Sequence, residues 1–488
     1  IEKTSHKLPD KVQVAVIGSG AGGGIAANTL AKKYDVAVFD KASYLNKETN
    51  NETFGYHNYF EHYGLSATRG FGIQLLTGKS VGGGTSINWQ TSLETPKQVL
   101  NEWDQLTSQD NYFDSDIFRE SIKYVTDNLD VNTEYNNIPL KEEKLAEGFD
   151  KNNINYRVIP KNNSSNHGME CGFCAFGCGY GSRNSSYKVW LNNEDFNGNI
   201  YSDTSIKRMI LNNNEATHIE VENNGVISIV EVEKVILAGG SLNTPSILLN
   251  SGYKNPQLGK NLKTHPVSGV AGRFKEEQKP WFGSMQGMHS EDFLFKTDNY
   301  GYLLQGLPMH PSIFFPYFPN FVSSAADFIE SYNNWSGAIV LTSDTSSGSL
   351  INNGPLWKYT LNDFDSNHLL DGLTKLVKSY YLAGAEEIMV SASPTMYWKR
   401  NESQDIEEFI NQILSIKNQP YRLLLGSAHQ MGTARMNPNP NLGVTDLNGK
   451  VHGLDNVYIV DSSIFPRCSG VNPMVTIQST SHFLMSQL

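Results

Sequence analysis

Cysteine is scarce in this chain: 4 residues in 488. That is too few for a disulfide framework, so the fold must rest on hydrophobic cores. Runs of basic residues are missing as well. Lys and Arg total 39 against 50 Asp and Glu, a formal charge of −11, which excludes nucleic acid as a main partner. No apolar run reaches the length of about 18 residues needed for a transmembrane helix, so a soluble or peripheral protein is expected. Internal repeats and low-complexity tracts are absent too. The first residue is Ile1 rather than Met, which fits a removed targeting segment. The chain ends Ser486-Gln487-Leu488 and lacks the basic residue of the Ser-Lys-Leu peroxisomal address. Glycine and aromatics are plentiful, with 42 Gly and 11% Phe, Trp and Tyr. The length allows two or three domains' worth of core.

Residues 12–41 read VQVAVIGSGAGGGIAANTLAKKYDVAVFDK. Val14 to Ile17 form a short apolar run of the kind buried in a parallel sheet. Gly18, Gly20 and Gly23 follow in G-x-G-x-x-G spacing. A helix is expected from Ile25 to Lys33, then a second strand, Val36 to Phe39, ending on Asp40. The first glycine makes the tight turn, the second lets backbone approach a pyrophosphate, and the third lets helix and strand pack closely. The helix N-terminus offers N–H groups and partial positive charge to phosphates, and an acid at Asp40 can accept hydrogen bonds from a ribose. The unit predicts dinucleotide binding and leaves FAD and NAD equally open.

A second glycine cluster, Gly82-Gly83-Gly84, lies among Ser80, Thr85, Ser86 and Asn88, and lets backbone approach a flat ligand. The Asn-rich stretch 46–58 reads as an exposed loop. Helices are expected over residues 95–150. Short β pieces over 201–233 turn at Asn223-Asn224-Gly225. A buried strand then runs into Gly239-Gly240, and Asn243 or Thr244 caps a helix with Pro245 at its first position. Residues 306–321 carry four prolines among aromatics, which predicts no regular structure. They form either an apolar lid or a loop packed on the core. A helix from about Ala383 and a strand over 387–392 suggest an α+β region. Near the end, His429 follows a glycine-flanked turn, Val457 to Val460 form a buried strand ending on Asp461, and Asn472-Pro473 starts a closing helix.

Together these motifs resemble the glucose–methanol–choline family of FAD oxidoreductases, and most of all its long-chain fatty alcohol oxidases. The carriers are the opening βαβ unit, residues 78–89, 238–252 and 259–266, the Cys171-Gly-Phe-Cys174-Ala-Phe-Gly-Cys178 segment, and the tail from His429 to Gln478. The resemblance implies an α/β fold: a Rossmann-like FAD domain from residues 1–95, 195–270 and 425–488, and a discontinuous α+β substrate domain on an antiparallel sheet from 96–194 and 271–424. It implies FAD as cofactor, held by Gly18, Gly20, Gly23 and Asp40, with Gly83, Gly84, Asn88, Asp461 and Asn472 along its flavin half. It implies oxidation of a primary alcohol with a medium or long chain, with oxygen or another electron acceptor, and peripheral membrane contact. His429 would be the base and Asn472 its hydrogen-bonding partner. His265, before Pro266, reads as structural, and His167, His310 and His452 have no supporting pattern. Rival readings are a sugar or polyol dehydrogenase of the same family, a hydroxynitrile lyase with non-redox flavin, and a non-catalytic flavin binder. Photodecarboxylases of the family place Cys where His429 stands. The thiols Cys171, Cys174 and Cys178 read as a zinc or iron–sulfur site, a redox pair, or a tight loop of buried thiols. Three cysteines are one ligand short of the usual four, and no metal is expected.

Overall fold

The computed structural model describes residues 7–45, 50–318, 325–351, 356–403, 405–417 and 421–488. The apolar run at the start is the centre of the first sheet. Strand β1 (Lys11–Ile17) lies parallel to β2 (Val36–Phe39) on one side and to the end of β3 (Val226–Leu237) on the other. Asn199–Tyr201 extends the sheet beside β2, and β4 (Val457–Ile459) extends it beside β3. Val14, Ala15 and Val16 are wholly buried, as strands covered on both faces must be. Helix α1 (Ala21–Leu30) and the closing helix α2 (Met474–Met485) meet where the Ser481 hydroxyl donates to the Gly22 carbonyl at 2.7 Å.

The first half of β3 leaves this layer. It pairs antiparallel with Glu215–Asn223, which pairs in turn with Thr204–Asn212. The turn falls on Asn224 (φ 50°) and Gly225 (φ 79°), the two left-handed residues that a two-residue hairpin loop requires.

The second sheet is antiparallel apart from one short parallel edge. Its strands run in the order Met396–Lys399, Glu387–Val390, Val267–Arg273, Trp335–Thr342, Tyr302–Leu307, Met288–Ser290 and Arg157–Val158. The edge pairs Gly426–Ser427 antiparallel with the Val267 strand and parallel with Gln74–Leu75. One face packs helices Leu140–Lys151 and Asp363–Leu382 through Leu145, Phe149, Leu373 and Tyr380. The other face carries Phe314, Phe318 and Phe328 against Ala271, Trp335 and Met389.

Several local expectations change. The helix near Ala383 ends there, running Asp363–Leu382 from an Asn362 cap that accepts the Asp365 N–H. Gly384 (φ 92°) is its stop, a left-handed residue just past the last turn. The strand that follows is Glu387–Val390. The proline-rich stretch holds the end of strand Tyr302–Leu307, a helical turn Pro311–Phe314 and a 3-10 turn Phe315–Tyr317. Pro311 stands at the first helical position, where its missing N–H costs nothing. Phe314 and Phe318 are core residues, while 319–321 lie outside the described residues. Glu52–Tyr59 is a helix rather than a loop, because Asn51 caps it by accepting the Phe54 N–H at 3.0 Å; residues 46–49 lie outside the described set. The helices Lys97–Leu106 and Asp116–Asn128 bury Trp103, Phe118 and Val125 in the core of the first sheet. The resemblance assigns them to the substrate domain.

Candidate active site

The chain leaves β1 at Gly18 (φ 99°), where a Cβ would strike the Ala238 carbonyl. Gly20 caps α1 with no side-chain hydrogen bond, so the first-turn N–H groups stay open to a ligand. Gly83 comes so close that a Cβ on it would lie 2.8 Å from the Gly20 Cα. A Cβ on Gly23 would meet the Gly18 carbonyl oxygen. Beside Gly84 and Gly240 the space is open, with no atom within 4 Å of an added Cβ. A cradle of bare backbone at a helix N-terminus fits a dinucleotide pyrophosphate.

The two acids expected at the cofactor also organise these loops. Asp40 accepts the Ser19 N–H at 2.8 Å and the Ser19 hydroxyl on one oxygen, and the Ala42 N–H at 2.9 Å on the other. Ser19 in turn accepts the Gly82 N–H at 2.8 Å, which ties both glycine clusters to the end of β2. Asp461, just past β4, accepts the Gly240 N–H at 2.9 Å, the Thr244 hydroxyl, and the Ser463 N–H at 2.8 Å. Burial pushes both carboxyls above the usual range, against these hydrogen bonds. Asn88 donates to the Met474 sulfur at 3.0 Å, at the start of α2.

His429 follows the edge strand Gly426–Ser427. Its N–H donates to the Ser427 hydroxyl oxygen at 3.2 Å, and that hydroxyl donates to the Thr264 carbonyl. The 427–429 turn is thereby fastened to the 264–266 turn. His265 sits there at φ 46°, with its N–H held by Asp344 at 3.2 Å. Its Nδ1 lies 3.4 Å from Nδ1 of His429, and its Nε2 accepts the Gly470 N–H at 3.2 Å. Burial lowers the His429 imidazole to about 3, helped by His265, and lowers His265 to about 4. Both rings are therefore neutral at physiological pH. Because Gly470 occupies Nε2 of His265, the proton of that ring sits on Nδ1 and points at Nδ1 of His429. His429 then carries its own proton on Nε2. Its side lies deep in the molecule but keeps some surface open. Asn472, two residues past Gly470, is also partly open, and its Oδ1 accepts from Gln305 at 3.0 Å. Among the described residues no hydrogen bond joins His429 to Asn472.

A GMC oxidoreductase N-terminal family model matches residues 20–267, and the C-terminal one matches residues 337–481. The chain belongs to the GMC oxidoreductase family. It is an FAD-dependent oxidoreductase acting on CH–OH groups. It is 32% identical to the long-chain-alcohol oxidase FAO4A of Arabidopsis thaliana over 96% of this chain and 67% of that protein. It is 29% identical to FAO4B of the same plant, over 98% and 67%. The fold also matches a crystal structure of pyridoxine 4-oxidase from Mesorbium loti, at TM-score 0.71 and 15% identity, covering 98% and 99% of the two chains.

Sequence reasoning set His265 aside as structural, yet this is the side chain that touches His429. Gln305 was missed altogether. The cysteines of this GMC oxidoreductase are all free thiols. Burial alone would raise Cys178, but the nearby Arg183 guanidinium brings it below the usual thiol value; burial raises Cys171. Among the described residues, the His, Cys and acidic groups that converge within 4.8 Å are His265, Asp344 and Cys468, not the three-thiol loop. Asp344 already accepts from Thr264, His265 and Tyr359, and His265 is engaged at both nitrogens, so that ring offers no free lone pair and the group falls short of the usual four ligands. Iron and zinc in the purified protein should stay below about a tenth of an atom per chain. Elemental analysis checks this, and stoichiometric iron or zinc would contradict it.

Proposed function

We propose that this GMC oxidoreductase oxidises primary alcohols with a medium or long apolar chain to aldehydes, with oxygen or another acceptor taking the electrons onward. The observation that carries the reading is an apolar cluster beside the proton-handling residues. Phe176, Met285, Leu307, Ile313 and Ile339 pack together, with Trp89 and Val267 against them. Val267 is two residues from His265, so an alkyl chain has an apolar wall next to the polar end of the site. The plant relatives are long-chain-alcohol oxidases by name, which supports the same substrate class.

A flavin held at the cradle of Gly18, Gly20 and Gly23 would supply the hydride acceptor. His429 takes the hydroxyl proton, and Asn472 gives the alcohol oxygen a second hydrogen bond. Accepting a proton at Nε2 requires His429 and His265 first to exchange tautomers, which breaks the hydrogen bond from Gly470. One buried hydrogen bond is worth about 1–3 kcal/mol when left unmade. A positioned base supplies a rate gain of about 10²–10⁴, about 2.7–5.5 kcal/mol, which exceeds this cost over most of its range. The substrate class is tested by anaerobic flavin reduction with ethanol, hexanol, decanol and glucose. The rate constant divided by the half-saturating concentration should rise with chain length, by about tenfold for each 1.4 kcal/mol of alkyl burial. Faster reduction by glucose than by decanol would sink the reading.

A further inference from the structure

Asparagine is an ambiguous group at an active site. Its two ends are similar in shape, but one donates and the other accepts. An alcohol oxygen gains negative charge as its proton leaves, so the useful end is the donor. What decides which end Asn472 shows to the site lies behind it.

A chain of buried amides runs from the protein backbone to Asn472, and each link has a direction. The Gly306 carbonyl can only accept, so the group 3.0 Å away on Gln286 is its NH2. The same NH2 reaches Oε1 of Gln305 at 3.3 Å. The Thr91 hydroxyl donates to Oε1 of Gln286 at 2.7 Å, which occupies the other end of that amide. With its oxygen facing Gln286, Gln305 turns its NH2 to Oδ1 of Asn472 at 3.0 Å. Gln286 and Gln305 are each 1% exposed, so water does not compete for these bonds. Gln305 sits on the interior strand Tyr302–Leu307, paired on both sides with His289 and Ile339, which gives the relay a rigid base.

The consequence falls on the last amide. The oxygen of Asn472 is spent on the protein, while among the described residues its NH2 has no hydrogen-bond partner and the residue keeps part of its surface open. We propose that Gln305 is a positioning residue, which holds Asn472 with its NH2 toward the substrate oxygen, and that Gln286 fixes Gln305 in turn. This rests on the reading of Asn472 as a group at the alcohol oxygen.

The test reverses one link. In Gln305→Glu an ionised carboxylate can only accept, so it draws the NH2 of Asn472 and turns the carbonyl toward the site. When protonated, the same carboxyl donates to Asn472 and restores the original direction. Burial raises the pKa of such a carboxyl, so the changeover falls above the ordinary glutamic acid value. Anaerobic flavin reduction at saturating decanol is measured across pH as the ratio of variant to parent. The ratio should drop by about 10- to 100-fold at high pH, less than the loss of a whole oxyanion donor, and recover as pH falls. Gln305→Leu should be slow at every pH with no recovery. Gln286→Glu, one link further back, should repeat the pH-reversible loss and serves if the first variant does not hold flavin. A ratio near one at every pH, or equal losses in the Glu and Leu variants with no acid recovery, would overturn the proposal. A parent flavin that decanol does not bleach would instead overturn the alcohol reading, so the two failures are distinguishable.

Discussion

His429→Ala is expected to slow anaerobic flavin reduction by about 10²–10⁴-fold at saturating alcohol, with FAD still bound. The flavin stays because the substitution touches none of the glycine turns; His429 is fastened to residues 264 and 427 instead. Single-turnover reduction is the right measurement, since it separates this step from reoxidation. His429→Gln sharpens it. Glutamine keeps an N–H near the position of Nε2 but takes up no proton. If His429 works as the base, Gln is as slow as Ala. If it works only as a donor, in the tautomer that Gly470 and His265 impose, Gln retains most of the parent rate. The pH dependence carries a sign as well. With the imidazole lowered to about 3, His429 stays neutral as pH falls through the ordinary histidine range. The parent should therefore show no acid limb from this residue near pH 6.5, the unperturbed value for histidine. A limb there that His429→Ala removes would contradict the burial assigned to it.

Gly18→Ala is expected to abolish flavin binding and to lower stability. At φ 99° the residue lies where side chains are strained, and its Cβ would strike the Ala238 carbonyl at the end of β3. Overpacking of this kind costs about 1–3 kcal/mol, and a left-handed non-glycine residue adds about 1–2 kcal/mol. The purified variant should be colourless, with a lower melting temperature. Gly84→Ala separates the two effects. Its Cβ meets no protein atom within 4 Å, so the fold should keep its melting temperature as apoprotein while flavin content falls. A yellow Gly18→Ala protein of parental stability would contradict the placement of the cradle.

The opening unit was legible because every local signal there agrees. Val14 to Ile17 are apolar at consecutive positions, the glycines are spaced for a turn, and Asp40 ends the next strand. The closing tail was legible for the same reason. Elsewhere a signal had two meanings. Gly384 marks an end, and Ala383 beside it reads equally well as a beginning. Pro308 follows the last residue of a strand, while Pro311, three residues on, starts a helical turn. The Asn-rich composition of 50–58 hid a helix whose cap is itself one of those asparagines, Asn51. The site partners were the least legible. His265 matters through a contact with a residue 164 positions away. Gln305 looks like an ordinary polar residue in an apolar strand, and its role arises only when folding sets it between Gln286 and Asn472.

The most direct measurement is to mix the flavin-loaded protein with decanol in the absence of oxygen, and to follow the flavin band and the product together. Alcohol oxidation predicts that the oxidised band bleaches and that one aldehyde forms for each flavin reduced, by the stoichiometry of hydride transfer. A band that stays oxidised while substrate is consumed, as in a lyase, or a band that no alcohol bleaches, would contradict it.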